Sequence, residues 1–311
     1  MGETKIRGPV LITGATGFIG CRLVKRLFQY GCEKIHILSR DPDKAQDSLP
    51  STVKCFKWNV EKQIIDEAAF KDVEYIIHLA GESIMALRWT KAKKERVTNS
   101  RVNSTNLLLK TLKDSGAPVK KILSASAIGY YGDRGNEVLT CNSKIGEGFL
   151  SEVCRQWEDG LKTFCSEDLK TYSLRFGLVL GKEGGALKMM LPPFKMGLGG
   201  VVGSGKQYMS WIHIDDLISQ ILFILENNLP FNAFNGVSPA PVTNEVFTTT
   251  LTEVLGRRNF LPVPSFFLKL TLGEMSTLLL ASQRVMPSRL IESGFSFEYP
   301  TLDLALKKEV N

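Results

Sequence analysis

The chain is poor in residues that hold metals. It has three histidines, and no two of its six cysteines form a C-x-x-C pair. The common zinc and redox spacings are therefore excluded; free intracellular thiols and no metal are expected. Long apolar runs are lacking too. The most apolar late stretch, "FFLKLTLGEMSTLLLA", is interrupted by Lys269 and Glu274 and falls short of a membrane span. The opening "MGETKIRGPVLITG" shows no apolar signal core before a small-residue cleavage site. A cytoplasmic protein with no membrane partner is expected. No internal repeat is found, and 43% hydrophobic against 23% charged residues over 311 positions argues against disorder and for one large or two modest domains.

Acid is scarce in one segment. Residues 88–101, "RWTKAKKERVTNSR", hold six basic residues and one acid, which supplies five of the net +7. No helix-turn-helix, zinc or aromatic RNA signature accompanies it, so no nucleic-acid partner is expected. A solvated helix face and an anion-facing wall of a ligand site both fit.

What is present is a strand, a glycine turn and a helix in that order. In "GPVLITGATGFIGCRLVKRLFQYG" the apolar run Val10–Ile12 precedes Gly14, Gly17 and Gly20, and Leu23, Val24, Leu27 and Phe28 then follow at helical spacing. Such a turn lets backbone N–H groups approach a pyrophosphate, and the helix N-terminus favours its charge. The expected contacts are Gly14, Thr16, Gly17, Phe18, Ile19 and Gly20.

The second strand, "KIHILSRD" (34–41), ends in Ser39 and Arg40, where an NAD binder would carry an acid for the ribose 2′-hydroxyl. A hydroxyl and a guanidinium suit a 2′-phosphate instead. NADP(H) is the expected cofactor. Further strands are expected at about 53–58, 74–79, 119–125 and 171–179, with helical patterns between most of them. That alternation predicts an α/β fold, a Rossmann-type doubly wound parallel sheet, with ligand at the C-terminal strand ends. Those ends are Thr13, Ser39, Asn59, Leu79, Ala80, Gly81, Ser124 and Ser126.

After Gly181 the chain turns Gly- and Pro-rich. Residues 1–180 are expected to form the core, with 206–237 returning to it. Residues 181–205 and 238–311 are expected to form a small, mostly helical substrate-side lobe.

The chain resembles the extended short-chain dehydrogenases/reductases. The resemblance is carried by "TGATGFIG", "HLAGES", "LSASAIGYYG" and "WIHIDDL". More narrowly it resembles an epimerase-family branch, labelled sugar-nucleotide epimerase or cell-division-inhibitor-like, through "GGAL", "GLGG", "GSG" and "SQRV". The resemblance implies a catalytic Tyr and Lys four residues apart on one helix, with a Ser on the preceding strand. Here those two positions are Leu150 and Cys154, part of an apolar stripe with Trp157 and Leu161 that reads as core. The sole Tyr–Lys pair at that spacing, Tyr30–Lys34, lies on the adenine side.

The expected catalytic residues are then Ser126, which matches the family serine, and Tyr130, a loop phenol beside the structural Tyr131. His213 is a weaker candidate, and Asp215 and Asp216 read as cap and anchor. "RVNST" places Arg101 where the resemblance implies an active-site Asn, within reach of the nicotinamide-side phosphate or ribose or of an acidic substrate group. Glu95 reads as orienting Arg101 or as binding the cofactor. Val179 is expected to flank the nicotinamide, and Gln283 and Arg284 to face the crevice. Two functions follow: an NADP(H)-dependent oxidoreductase or epimerase with a rearranged catalytic group, or an NADP(H)-binding sensor without redox chemistry. The substrate, anionic on one reading, is a small molecule that the sequence does not name.

Overall fold

The computed structural model describes residues 6, 8–85, 88–257 and 262–310. Residues 1–5, 7 and 86–87 of the expected core, and 258–261 and 311 of the expected lobe, lie outside that set. The first half runs β1 (Val10–Thr13), α1 (Phe18–Gln29), β2 (Ile35–Ser39), α2 (Pro42–Asp47), β3 (Lys54–Asn59), β4 (Ile64–Ile65), β5 (Tyr75–His78), α3 (Lys91–Ser115), β6 (Lys121–Ala127), β7 (Val138–Leu139), α4 (Phe149–Lys162) and β8 (Lys170–Phe176). The second half runs β9 (Leu178–Leu180), α5 (Gly185–Lys195), β10 (Tyr208–Met209), β11 (Trp211–His213), α6 (Ile214–Glu226), β12 (Ala233–Gly236), β13 (Val242–Thr243), α7 (Asn244–Val254), α8 (Ser265–Leu272), α9 (Thr277–Leu280), β14 (Arg284–Val285), α10 (Ser288–Glu292) and α11 (Leu302–Val310).

Eight strands form one sheet in the order β12-β8-β6-β5-β1-β2-β3-β4. Every pairing in it is parallel except β3 with β4. The alternation along β1 shows why. Val10 and Ile12 enter a core with Leu23, Val24 and Leu27 of α1 and Leu217, Ile218 and Ile221 of α6. Leu11 points the other way, into a core with Leu107, Leu108 and Leu112 of α3 and Leu161 of α4. A strand buried on both faces needs helices on both, which is the Rossmann-type architecture expected. Strand order reverses beside β1, between β2 and β5, and the crevice opens at that switch point.

One expected strand is corrected. The run read as 171–179 is two strands broken at Gly177. There the chain passes so close to Ser210 that a Cβ would sit 2.5 Å from its carbonyl oxygen. β9 then leaves the main sheet and pairs in parallel with β11. Val179 therefore lies on this side ladder, opposite Ile212, rather than at the end of a core strand.

Helix α3 begins at Thr90, whose hydroxyl caps the Lys93 N–H, and ends at Gly116 with φ +62°. Much of its basic stretch is paired. Lys93 and Arg96 meet Glu82, and Lys94 meets Glu274.

Candidate active site and cofactor crevice

The glycine turn is built for close approach. Gly14 has φ +70°, and a Cβ there would lie 2.9 Å from the Ala80 nitrogen and the Leu79 carbonyl. A Cβ on Gly20 would lie 2.3 Å from the Gly14 oxygen, so α1 packs directly on the turn. Gly17 is the N-cap of α1 and no side chain caps that end. The N–H groups of Phe18, Ile19 and Gly20 thus point outward without an intrahelical acceptor, and Thr16 and Gly17 are exposed above them. This cradle fits a pyrophosphate. The Phe18 ring goes elsewhere: it packs under Gly181, Gly184 and Gly185, where a Cβ on Gly184 would come within 2.5 Å of it.

Behind the cradle lies a buried polar chain. Ala80 N–H donates to Thr13 Oγ1 (3.1 Å), which stands 2.7 Å from His78 Nδ1, and His78 Nε2 is 3.1 Å from Ser104 Oγ. Ser104 spends its own proton on the Arg101 carbonyl. The inventory assigns one tautomer: Nε2 donates to Ser104, and Nδ1 accepts from Thr13. Complete burial pushes the His78 pKa down to about 4, so the ring is neutral. Through Thr13 it is tied to the Ala80 N–H, next to the place where Gly14 approaches.

At the adenine end the Ser39 hydroxyl donates to the Asp41 carbonyl and accepts the Asp41 N–H, closing its own turn. The Asp41 carboxylate caps α2. Arg40 is exposed. Lys57 is its neighbour: it is the register partner of Ser39 on β3, and its ammonium donates to the Arg40 carbonyl at 2.5 Å. Sequence reasoning missed Lys57. Asn59 accepts from Lys62 N–H in a local turn.

The catalytic end differs from expectation in its partners. Ser126 is 2% exposed, and its hydroxyl donates to Glu158 Oε1 at 2.7 Å. Glu158 is held in a two-point clasp by Arg175, at 2.8 and 2.7 Å. Arg175 also donates to the Tyr131 hydroxyl (2.9 Å), which donates to Asn235 (2.7 Å). With its proton spent on Glu158, Ser126 could only accept from a substrate in this arrangement. Neither Glu158 nor Arg175 was singled out from sequence. The signal was Arg175 itself, a charge inside the apolar run "TYSLRFGLV". Ser124 Oγ donates to the Ala125 carbonyl within its own strand. Tyr130 is half-buried, its ring between Arg175 and Tyr131. Gln283 carries that loop by donating to the Ile128 and Gly132 carbonyls at 3.0 and 2.9 Å. Arg284 instead lies over the Tyr208 ring.

At the positions of the absent pair, Leu150 packs against Gly129. Cys154 is buried, and burial with Glu158 nearby pushes its thiol up to about 11. Arg101 turns inward over the Trp157 ring, 5.3 Å from its centre, beside Gly81. Its hydrogen-bond partners are the Glu82 and Val97 carbonyls and the Ser100 hydroxyl. Glu95 is not among them; it is exposed on α3 and lines a shallow cavity of about 480 Å³ with Trp89 and Lys94. His213 is a structural cap. Its Nδ1 accepts the Asp215 N–H, its Nε2 meets Glu309 at 3.0 Å, and its ring stacks on Tyr299. The cap expected of the aspartates is thus His213. Asp215 pairs with Arg22 and Arg26, and Asp216 accepts the Glu298 and Tyr299 N–H groups.

Fold and crevice together define a dinucleotide-binding protein of the extended short-chain dehydrogenase/reductase type. Residues 10–235 match the NAD dependent epimerase/dehydratase family, and residues 263–309 match a domain of unknown function, DUF1731. The chain belongs to that epimerase/dehydratase family. It is 40% identical to the chloroplastic epimerase family protein SDR39U1 homolog of Arabidopsis thaliana, over 96% of this chain and 85% of the relative. It is 35% identical to the epimerase family protein YfhF of Bacillus subtilis, over 96% and 97%. The crystal structure of the human epimerase family protein SDR39U1 with NADPH superposes with a TM-score of 0.85 at 31% identity, covering 97% of this chain and 98% of that one. A UDP-glucose 4-epimerase from Thermotoga maritima shares the fold at 19% identity and a TM-score of 0.79.

Proposed function

We propose that this chain binds NADP(H) across the crevice and acts as an NADP(H)-dependent oxidoreductase or epimerase whose catalytic groups are rearranged. The observation that carries the cofactor reading is the pair of cations, Arg40 and Lys57, at the adjacent ends of β2 and β3 beside an uncapped glycine cradle. Two cations suit a 2′-phosphate, and the nearest acid, Asp41, is engaged as a helix cap. The human relative crystallised with NADPH supports the same cofactor.

Gly14, Thr16, Gly17, Phe18, Ile19 and Gly20 would hold the pyrophosphate through their backbone. Asn59, Leu79, Ala80 and Gly81 would wall the crevice, with Ser39, Ser124, Glu95 and Val179 as outer contacts. The bound nicotinamide would supply hydride transfer. Tyr130, with no hydrogen bond to its hydroxyl among the described residues, would hold the proton. Ser126 would position Glu158 and, through it, Arg175. Six free cysteines suit a reducing compartment, and we place the protein in the cytoplasm. No described helix is long and apolar enough to cross a membrane.

A second reading, an NADP(H)-binding sensor without turnover, is favoured by one observation: the Ser126 proton is already committed to Glu158. The test is titration of the protein with NADPH and NADH, for wild type, Arg40→Ala and Lys57→Gln, followed by a panel of sugar nucleotides, quinones and activated ketones. NADPH should bind more tightly, and each variant should lose roughly tenfold to a hundredfold for NADPH. Equal affinity of wild type for both cofactors would overturn the NADP(H) assignment. Tight binding with no turnover would favour the sensor.

A further inference from the structure

Helix α8 carries an apolar face that the described residues leave open. Its eight residues, "SFFLKLTL", span Ser265–Leu272. At 3.6 residues per turn, Phe266, Phe267 and Leu270 share one side, and Leu268 and Leu272 the opposite one. The packing follows that division. Leu268 is buried, while Phe266, Phe267 and Leu270 are 70%, 52% and 69% exposed. Single exposed apolar residues are ordinary on a protein surface, but two phenylalanines and a leucine grouped on one helix face mark a contact surface.

The rim of this face is basic. Lys269 stands exposed at its edge, and α8 contains no acid. Arg88 fastens the C-terminal end of the helix by donating to the Leu270 and Thr271 carbonyls. α8 is thereby joined to the start of the basic segment 88–101, which supplies five of the net +7. The next acid along the chain, Glu274, is held by Lys94 of α3, and Lys91, one turn before Lys94, is exposed.

We infer that α8 is a peripheral docking helix that lays Phe266, Phe267 and Leu270 into the headgroup boundary of an anionic lipid surface, with Lys269, Lys91 and Arg88 toward the lipid charges. An apolar, partly aromatic face flanked by cations is the chemistry such a surface recognises. The net positive charge draws the chain toward it before contact. A second copy of this chain fits less well. A two-fold contact through α8 would bring Lys269 near its own counterpart, with no acid on either helix to answer it. Docking of this kind needs no spanning helix, and no described helix is long and apolar enough to be one. Nothing in this surface depends on which cofactor the crevice holds.

The experiment is co-sedimentation of the full chain with vesicles of phosphatidylcholine alone and of phosphatidylcholine mixed with phosphatidylserine. The mixed vesicles should bind more protein, and added salt should release part of it. Phe266→Ser with Leu270→Ser should weaken binding to the mixed vesicles at least about tenfold, and Lys269→Gln about fivefold. Ile64→Ser, at an exposed apolar residue on the edge strand β4, should change nothing. All of these side chains are exposed, so melting temperatures should stay near wild type; if the double variant melts early, Lys269→Gln decides alone. No binding of wild type to either vesicle, or equal binding to both, overturns the anionic docking face. So does binding that the α8 variants leave unchanged, or that Ile64→Ser weakens as much. Sedimentation velocity without lipid covers the other occupant: a wild-type dimer that the double variant dissociates would assign the face to a second copy and overturn the lipid assignment.

Discussion

The guanidinium carbon of Arg175 lies 3.5 Å from the centre of the Tyr130 ring. The same guanidinium clasps Glu158, which in turn holds the Ser126 hydroxyl. The two candidate catalytic residues, one on a strand and one on a loop, are therefore joined through a single buried ion pair. Arg175 is 4% exposed and Glu158 is 2% exposed. At such burial the pair does more to fix geometry than to add stability, because desolvation offsets most of the attraction.

A stability measurement follows from that asymmetry. Arg175→Met should destabilise the protein by about 3–5 kcal/mol, since it strands the Glu158 carboxylate in the interior. Adding Glu158→Gln to the same chain should recover a large part of the loss. Urea denaturation of the two single variants and the double variant decides it. A double variant that loses the sum of both single losses would mean that the pair is not coupled as the geometry indicates.

The contrast between residues that were legible in sequence and those that were not has a physical basis. The cradle was legible because strand, glycines and helix are contiguous, and Gly17 and Gly20 answer contacts with Gly14 inside the turn, while the contact of Gly14 itself is with Leu79 and Ala80 at the end of another strand. The apolar character of Cys154, Trp157 and Leu161 was legible from helical spacing alone. Lys57 was not, since its place beside Ser39 depends on the register of β2 with β3. Ser39 was read as a phosphate ligand because its side chain cannot be seen in sequence to close the Asp41 turn. Glu158 follows Trp157 on α4 with no local signal to mark it; only the arrival of β8 beneath α4 makes it a buried partner of Arg175. The break at Gly177 was hidden because the run reads as apolar on both sides, and its cause, the Ser210 carbonyl, comes from a distant strand.

Cys154 should be chemically quiet. Its thiol is buried and pushed up to about 11, so almost none is thiolate at neutral pH. A maleimide or iodoacetamide pulse on the folded protein, mapped by mass spectrometry, should label exposed Cys165 well before Cys154. Labelling of Cys154 at a rate matching Cys165 would show that the α4 stripe is not closed as described.

Stability should fall on mild acidification because of His78. Its folded-state pKa of about 4 lies below the ordinary histidine value of 6.5, so the unfolded chain binds the extra proton first. The contribution is complete above pH 6.5 and is lost progressively as pH falls toward 4. Its size is on the order of 3 kcal/mol. Chemical denaturation at intervals from pH 7.5 to about 4 should show this slope in wild type. His78→Asn should start less stable, since it breaks the bonds to Thr13 and Ser104, yet show a flatter profile. An equal slope in both proteins would assign the effect to other groups.

Turnover, where it is found, should depend on Tyr130 more than on Ser126 in the chemical step. The Tyr130 phenol is the tyrosine hydroxyl of this loop with no hydrogen bond among the described residues, whereas Tyr131 is committed to Arg175 and Asn235. A lost general acid costs about 10²–10⁴ in rate, so Tyr130→Phe should lower kcat by that order while leaving NADPH affinity and melting temperature near wild type. Ser126→Ala should act differently. It removes one hydrogen bond from a buried carboxylate, which costs about 1–3 kcal/mol of stability, and it should lower kcat less, through a looser Glu158–Arg175 clasp under the Tyr130 ring. The measurements are single-turnover reduction of an activated ketone or quinone with NADPH, followed at the reduced-nicotinamide absorbance, beside thermal melts of both variants. A Tyr130→Phe protein with wild-type kcat would remove the loop phenol from the chemistry. A Ser126→Ala protein that loses kcat more severely than Tyr130→Phe, at unchanged stability, would return the strand serine to direct contact with substrate.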